Sequence, residues 1–153
     1  MDKADIRVNF VGVEDALRED GICSALTSGG SMQPLFKTHR DVVVVEKLTD
    51  VPKKYDVVLY KIGEDFVLHR IIGYSKEKDA FVIRGDNTYI NEFVKSDKII
   101  ARLCAFRRKG SYKTVDAPSY KVYSRVWNFI YPIRFVLRKI RVCLSKIKKS
   151  LFK

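Results

Sequence analysis

Ser28-Gly29-Gly30-Ser31-Met32-Gln33-Pro34 is the stretch on which the fold turns. Two glycines stand directly before a serine, and a proline follows soon after. Glycine takes positive φ or a close approach at no steric cost. Proline ends any helix or central strand that would otherwise run through. The pattern predicts a tight bend that presents the Ser31 hydroxyl beside backbone donors, the layout an activated serine needs. The same residues also make up an ordinary polar turn between two strands. The surrounding chain has to decide between the two.

Around that bend the chain reads as short strands separated by turns. Apolar runs predict strands over 22–27, 41–47, 55–61, 66–74, 80–84 and 98–107. Gly63-Glu64-Asp65 predicts a hairpin turn and Gly85-Asp86-Asn87 a second strong turn. A short helix is expected over 14–20, ended by Gly21, and a loop over 110–118. Short strands with turn signals at this spacing predict a mainly β body.

The chain is 153 residues long, enough for one domain with a real core. Cys23, Cys104 and Cys143 are widely spaced and odd in number, without a CxxC pair, so neither a zinc site nor a disulfide framework is suggested. Two histidines speak against a histidine-rich metal site, and no metal or cofactor is expected. The start Met1-Asp2-Lys3-Ala4-Asp5 lacks the features of a signal peptide, and no 18-residue apolar run exists. These features predict a cytoplasmic protein. The net charge of +12 is uneven: residues 121–153 hold ten Lys/Arg and no acid, while residues 1–120 carry a net charge of only +2.

After Pro118 the apolar spacing changes to the helical period. Val122, Val126, Phe129, Ile130 and Ile133 begin a stripe that Val136, Ile140, Cys143, Ile147 and Leu151 continue. Pro132 predicts a kink, or two helices meeting near Tyr131. Arg134, Arg138, Arg141, Lys148 and Lys149 fill the other face, with Trp127, Phe129 and Tyr131 near its start. That combination predicts a basic amphipathic helical tail over 118–153. An anionic membrane surface, met through residues 120–153, is the expected partner. Docking on the body or on a partner protein is the alternative. Nucleic acid is not expected, because an apolar stripe gains nothing from phosphates.

A serine nucleophile needs a base. His69, in the apolar strand Phe66-Val67-Leu68-His69-Arg70-Ile71-Ile72, is the candidate, with a satisfied core histidine as the plain alternative. Asp86 in the following turn is the candidate for holding the imidazole tautomer, unless it only caps its own turn.

Together these segments resemble the type I signal peptidases and the self-cleaving SOS-type repressor peptidases. Ser28 to Pro34 matches the family's SGxSMxP box, and Tyr55-Asp56-Val57-Val58-Leu59-Tyr60 its GD(I/V)V strand, with Tyr55 where glycine is usual. Val67 to Gly73 matches the strand that carries lysine or histidine before arginine, and Arg84-Gly85-Asp86-Asn87 matches the GDN box. The resemblance spans residues 28–106 and implies a body of coiled antiparallel sheets over 1–117. It also implies peptide-bond hydrolysis by serine. By matching position, Ser31 is the nucleophile and His69 the general base, as in the histidine branch of the family. The Ser31 N–H is the implied oxyanion donor, with the Ser28 hydroxyl as a weaker candidate. Gly29, Gly30, Met32 and Pro34 are implied to line the substrate.

The chain departs from that family in three respects. No Asp follows the GDN box; Thr88-Tyr89-Ile90-Asn91-Glu92 stands there, so Glu92 rivals Asp86 as the orienting acid, or a dyad works alone. The stretch before the serine box is short and is expected to hold neither a membrane anchor nor a DNA-binding domain. His39 is a rival base, and Lys37, Lys54 and Lys61 are rivals for a lysine mechanism, but none matches the family's strand. The expected function is a serine endopeptidase that cleaves a leader or signal-like peptide at the inner membrane face. The alternative is a peptide- or membrane-binding module of the same fold with weak turnover or none. Self-cleavage is not expected, for want of an Ala-Gly or Cys-Gly pair before Ser31.

Overall fold

β3 (Val57–Ile62) and β4 (Asp65–Ser75) form the hairpin that sets the register at the centre of the molecule. Their loop is Gly63-Glu64, with Gly63 at φ 60°. Two-residue loops with positive φ match the twist of antiparallel strands. The loop pairs Ile62 with Asp65, and therefore Tyr60 with Val67 and Val58 with His69.

The computed structural model describes residues 12–151, and side chains as far as residue 145. The described chain is mainly β, with an antiparallel eight-stranded sheet and three α-helices. The other strands are β1 (Ile22–Leu26), β2 (Val42–Lys47), β5 (Ala80–Arg84), β6 (Glu92–Val94), β7 (Ile99–Arg108) and β8 (Ser111–Thr114). The helices are α1 (Val13–Glu19), α2 (Pro118–Phe129) and α3 (Tyr131–Leu151). The sheet order is β1-β2-β7-β3-β4-β5-β6, with β8 paired to β7. Register shifts at Val44/Val45, Leu59/Tyr60 and Ile71/Gly73 interrupt the ladders, and such irregularities bend and twist a sheet.

Strand alternation sends side chains to two cores. Val57 and Leu59 of β3 join Leu68, Val43, Val45, Leu103 and Phe106 in the larger one. Val58 and Tyr60 join Val67, Ile71, Phe81, Ile83 and Ile99 in the other. The loop between β1 and β2 carries the serine box and is drawn into the larger core by Met32, Leu35 and Phe36, all at most 3% exposed. Burying each such side chain contributes about 1.5–3 kcal/mol. Polar groups close the loop at its base. Thr27 Oγ1 lies 2.9 Å from both the Lys37 and Asp41 carbonyls, and the Lys37 N–H donates to Asp41 at 2.8 Å. Burial alone would raise the Asp41 carboxyl; the Arg40 guanidinium and the Lys37 N–H outweigh it and hold the group below its usual range.

The strands expected from the sequence are present, and two more join them. β8 lies in the segment read as loop, after a two-residue turn at Lys109-Gly110 that pairs Arg108 with Ser111. All four of its residues are exposed, so it carries no apolar alternation to read. β6 has only three residues, and its signal is correspondingly short.

The chain after Pro118 forms two helices that meet between Phe129 and Tyr131, beside Pro132. α2 is part of the body rather than a separate tail: Tyr120 is 7% exposed and belongs to the larger core. α3 lies along the segment from 84 to 91 through aromatic and cation–π contacts. The Arg84 guanidinium sits 3.3 Å from the Tyr131 ring centroid, and Arg138 sits 4.4 Å from that of Tyr89. Tyr89 also meets the Tyr131 and Phe135 rings, each at 5.8 Å between centroids. Val122, Val126, Phe129, Ile133, Val136 and Ile140 are exposed along both helices. No described helix is long and apolar enough to cross a membrane. The opening Met1 to Asp5 and the side chains of Ile147, Lys148, Lys149 and Leu151, also read from the sequence, lie outside the described residues.

Candidate active site

His69 lies within β4, between β3 and β5, on the same face of the sheet as Val58, its cross-strand partner. Its Nε2 is 2.8 Å from Ser31 Oγ, and both residues are at most 2% exposed. For the hydroxyl to donate to Nε2, the imidazole proton must sit on Nδ1. Water is largely excluded at this depth, which strengthens every polar interaction of the pair.

The serine is fixed from a second side by the turn after β5. The Asn87 N–H donates to the Ser31 carbonyl at 2.6 Å, and Asn87 Nδ2 donates to the Gly30 carbonyl at 3.2 Å. The Asp86 N–H donates to Met32 Sδ at 3.4 Å. Gly85 is required by close packing. A Cβ there would lie 2.7 Å from the Ser31 carbonyl oxygen and 3.0 Å from His69 Nε2. The glycine of this turn thus makes room for the contact between serine and histidine.

Asp86 does not stand behind His69, contrary to the first expectation for it. Arg70 takes its carboxylate through a two-point ion pair, Nε to Oδ1 at 2.8 Å and Nη2 to Oδ2 at 2.9 Å. Adjacent strand residues point to opposite faces, so Arg70 leaves β4 on the side away from His69. Its Nη1 donates to the Tyr55 carbonyl at 2.9 Å, to Tyr120 at 3.2 Å and to Ser124 at 2.9 Å. Burial acts to lower the Arg70 pKa, but the charge of Asp86 and the Tyr120 hydroxyl outweigh it and raise it. Tyr123 donates to Asp86 Oδ2 at 3.0 Å, and burial beside that carboxylate raises its phenol well above the usual range. Trp127 Nε1 and Arg134 Nη2 donate to the Asp86 carbonyl at 2.9 and 2.7 Å. Asp86 therefore anchors α2 and α3 to the turn that holds the serine.

Among the described residues, the carboxylate near His69 is Glu92, at the start of β6. Its Oε2 is 3.4 Å from His69 Nδ1. Tyr60 stands with it: the phenol oxygen is 3.0 Å from Nδ1, and the hydroxyl is hydrogen-bonded to Glu92 Oε2. The sequence does not single out Tyr60, although the two-residue hairpin loop carries the signal. That loop fixes Tyr60 opposite Val67, one diagonal step from His69 on the same face.

The other candidates fall as follows. Ser28 is half-buried beside Gly29, which has φ 82°, and Gly29 and Gly30 lend their carbonyls to Thr38 and Asn87. Met32 does not line a substrate surface: it is fully buried and serves as core and as acceptor for Asp86. Pro34 is exposed. His39, Lys37 and Lys54 are exposed, and Lys61 pairs with Glu14 at 3.1 Å. Burial raises the Cys23 and Cys104 thiols, so both favour the protonated form.

No protein-family model matches the chain, and no curated protein matches it.

Proposed function

We propose that this protein is a serine endopeptidase of the signal-peptidase kind, acting on a leader or signal-like peptide at an anionic membrane surface. The observation that carries this reading is the 2.8 Å contact between Ser31 Oγ and His69 Nε2, in a serine loop fastened to the turn at residues 85–87. The four segments that resemble the type I signal peptidases support the same conclusion. Glu92 supplies a carboxylate beside His69, a few residues beyond the Gly85-Asp86-Asn87 turn, where the resemblance to the histidine branch implies a further acid.

In this mechanism His69 Nε2 takes the Ser31 hydroxyl proton as Oγ attacks the peptide carbonyl. The Ser31 N–H, with the Ser28 hydroxyl as its companion, faces the developing oxyanion. His69 then gives the proton to the leaving amine. Water attacks the acyl-enzyme, His69 takes a proton from it, and Ser31 is released. The extended substrate adds as a strand beside the serine loop.

The membrane assignment rests on the faces of α2 and α3. Tyr120, Tyr123, Ser124 and Trp127 of α2, and Tyr131, Arg134 and Arg138 of α3, face the body. On a helical projection the exposed apolar residues Ile133, Val136 and Ile140 lie opposite that contact. Basic residues flank the stripe, each worth about 1 kcal/mol near anionic lipid.

The test is cleavage of a panel of leader and signal-like peptides presented on anionic liposomes, with products read by mass spectrometry. A discrete cut is expected, slowed about 10³-fold or more in Ser31→Ala and in His69→Ala. Absence of any cut, or an unchanged cut in Ser31→Ala, would overturn the proposal.

A further inference from the structure

We infer that Tyr60 is a positioning residue for His69, forming a relay Ser31–His69–Tyr60–Glu92 in which a phenol stands between the imidazole and its carboxylate. This rests on the peptidase reading of the same site. Three observations carry it. Tyr60 is 1% exposed, and its oxygen lies 3.0 Å from His69 Nδ1, nearer than Glu92 Oε2 at 3.4 Å. Its hydroxyl is hydrogen-bonded to Glu92. The strand register sets all three on one face: Tyr60 is diagonal to His69, and Glu92 is paired with Ile83, which shares a core with Tyr60.

The direction of each hydrogen bond follows from what each group can donate. A carboxylate only accepts, so the Tyr60 proton points to Glu92. The phenol oxygen is then left to accept from Nδ1–H. A proton on Nδ1 leaves Nε2 bare to receive the Ser31 proton. Glu92 thereby selects the working tautomer through Tyr60. When His69 becomes imidazolium, Nδ1–H still points at the phenol, and the Glu92 charge lies behind it.

This arrangement has a consequence that a directly orienting carboxylate does not. Without Glu92, the carboxylate that takes the Tyr60 proton is gone, and the hydroxyl turns to donate to His69 Nδ1 instead. The imidazole proton moves to Nε2, where it blocks proton transfer from serine. Tyr60 is then harmful, and removing it helps.

The experiment combines kinetics with ¹⁵N NMR of the imidazole in full-length protein labelled with ¹⁵N-histidine. His39→Gln assigns the two histidines. In wild type, Nδ1–H is expected for His69. Glu92→Ala is expected to show Nε2–H and to lower kcat about 10²-fold or more with KM little changed, as for a wrong tautomer. Glu92→Gln, whose amide oxygen still accepts from Tyr60, loses less. Tyr60→Phe lowers kcat about 10-fold, since Glu92 remains near Nδ1. The decisive variant is Tyr60→Phe with Glu92→Ala, expected to lose the enforced Nε2–H form and to turn over faster than Glu92→Ala alone. A double variant equal to or slower than Glu92→Ala, or a wild-type Nε2–H tautomer, would overturn the relay. The tautomers are read without substrate. Expected tautomers in a protein that cleaves nothing would refute the peptidase reading and leave the relay standing.

Discussion

A methyl group at position 85 has no room. Its carbon would press on the Ser31 carbonyl at 2.7 Å and on His69 Nε2 at 3.0 Å, and neither the loop backbone nor a histidine held within a central strand yields cheaply. Gly85→Ala is therefore expected to keep the fold while lowering turnover by about 10²-fold, the usual cost of displacing reacting groups by an ångström. Turnover compared at matched circular dichroism checks this, and an unimpaired rate would show that the contact is not needed. Tyr55 shows the opposite case of a position where glycine is usual in the resembling peptidases. It adopts φ 82°, a left-handed conformation that costs a side-chain-bearing residue about 1–2 kcal/mol. Ser31 and His69 were legible in the sequence because each lies in a compact local signature. Tyr60 was not, because its role depends on register across a hairpin, and nothing at position 60 alone marks it.

Among the elements, the turn after β5 joins more parts of the molecule than its length suggests. One side fastens the serine loop, and the other receives Arg70, Tyr123, Trp127 and Arg134. This division explains why Asp86 was misplaced by sequence reasoning. A carboxylate in a turn beside a histidine strand has two possible partners, His69 and Arg70, which face opposite sides of β4. Sequence order does not say which side the turn reaches. Asp86→Asn breaks a buried ion pair and leaves the Arg70 charge without its partner, at a cost of about 3–5 kcal/mol. The expected result is a lower urea midpoint with an unchanged slope, and a His69 that retains the Nδ1–H tautomer. A midpoint like that of wild type would contradict the anchoring role. β6 was missed for a related reason: three residues are too few to alternate, yet they are enough to bring Glu92 to the histidine.

At the scale of the whole molecule, the charge and the apolar exposure sit together. Residues 121–151 carry nine basic side chains and no acid, on helices where the outward apolar residues stay uncovered among the described side chains. The helical period and the break at Pro132 were legible in the sequence. The division into faces was not, because Tyr120 and Ser124 join the body through Arg70, a residue 50 positions or more away along the chain. On this account Ile133→Glu with Ile140→Glu abolishes flotation with anionic liposomes while leaving cleavage of a short soluble peptide intact. Equal flotation of variant and wild type would remove the membrane assignment. Whether Ser31 is a nucleophile with His69 as its base is tested by intact-protein mass spectrometry after exposure to acylating probes. A fluorophosphonate and a β-lactam-type reagent are applied to wild type, Ser31→Ala and His69→Ala. A single adduct is expected on Ser31 in wild type, none in Ser31→Ala and far slower labelling in His69→Ala. No adduct with either probe, or an adduct that persists in Ser31→Ala, would contradict it.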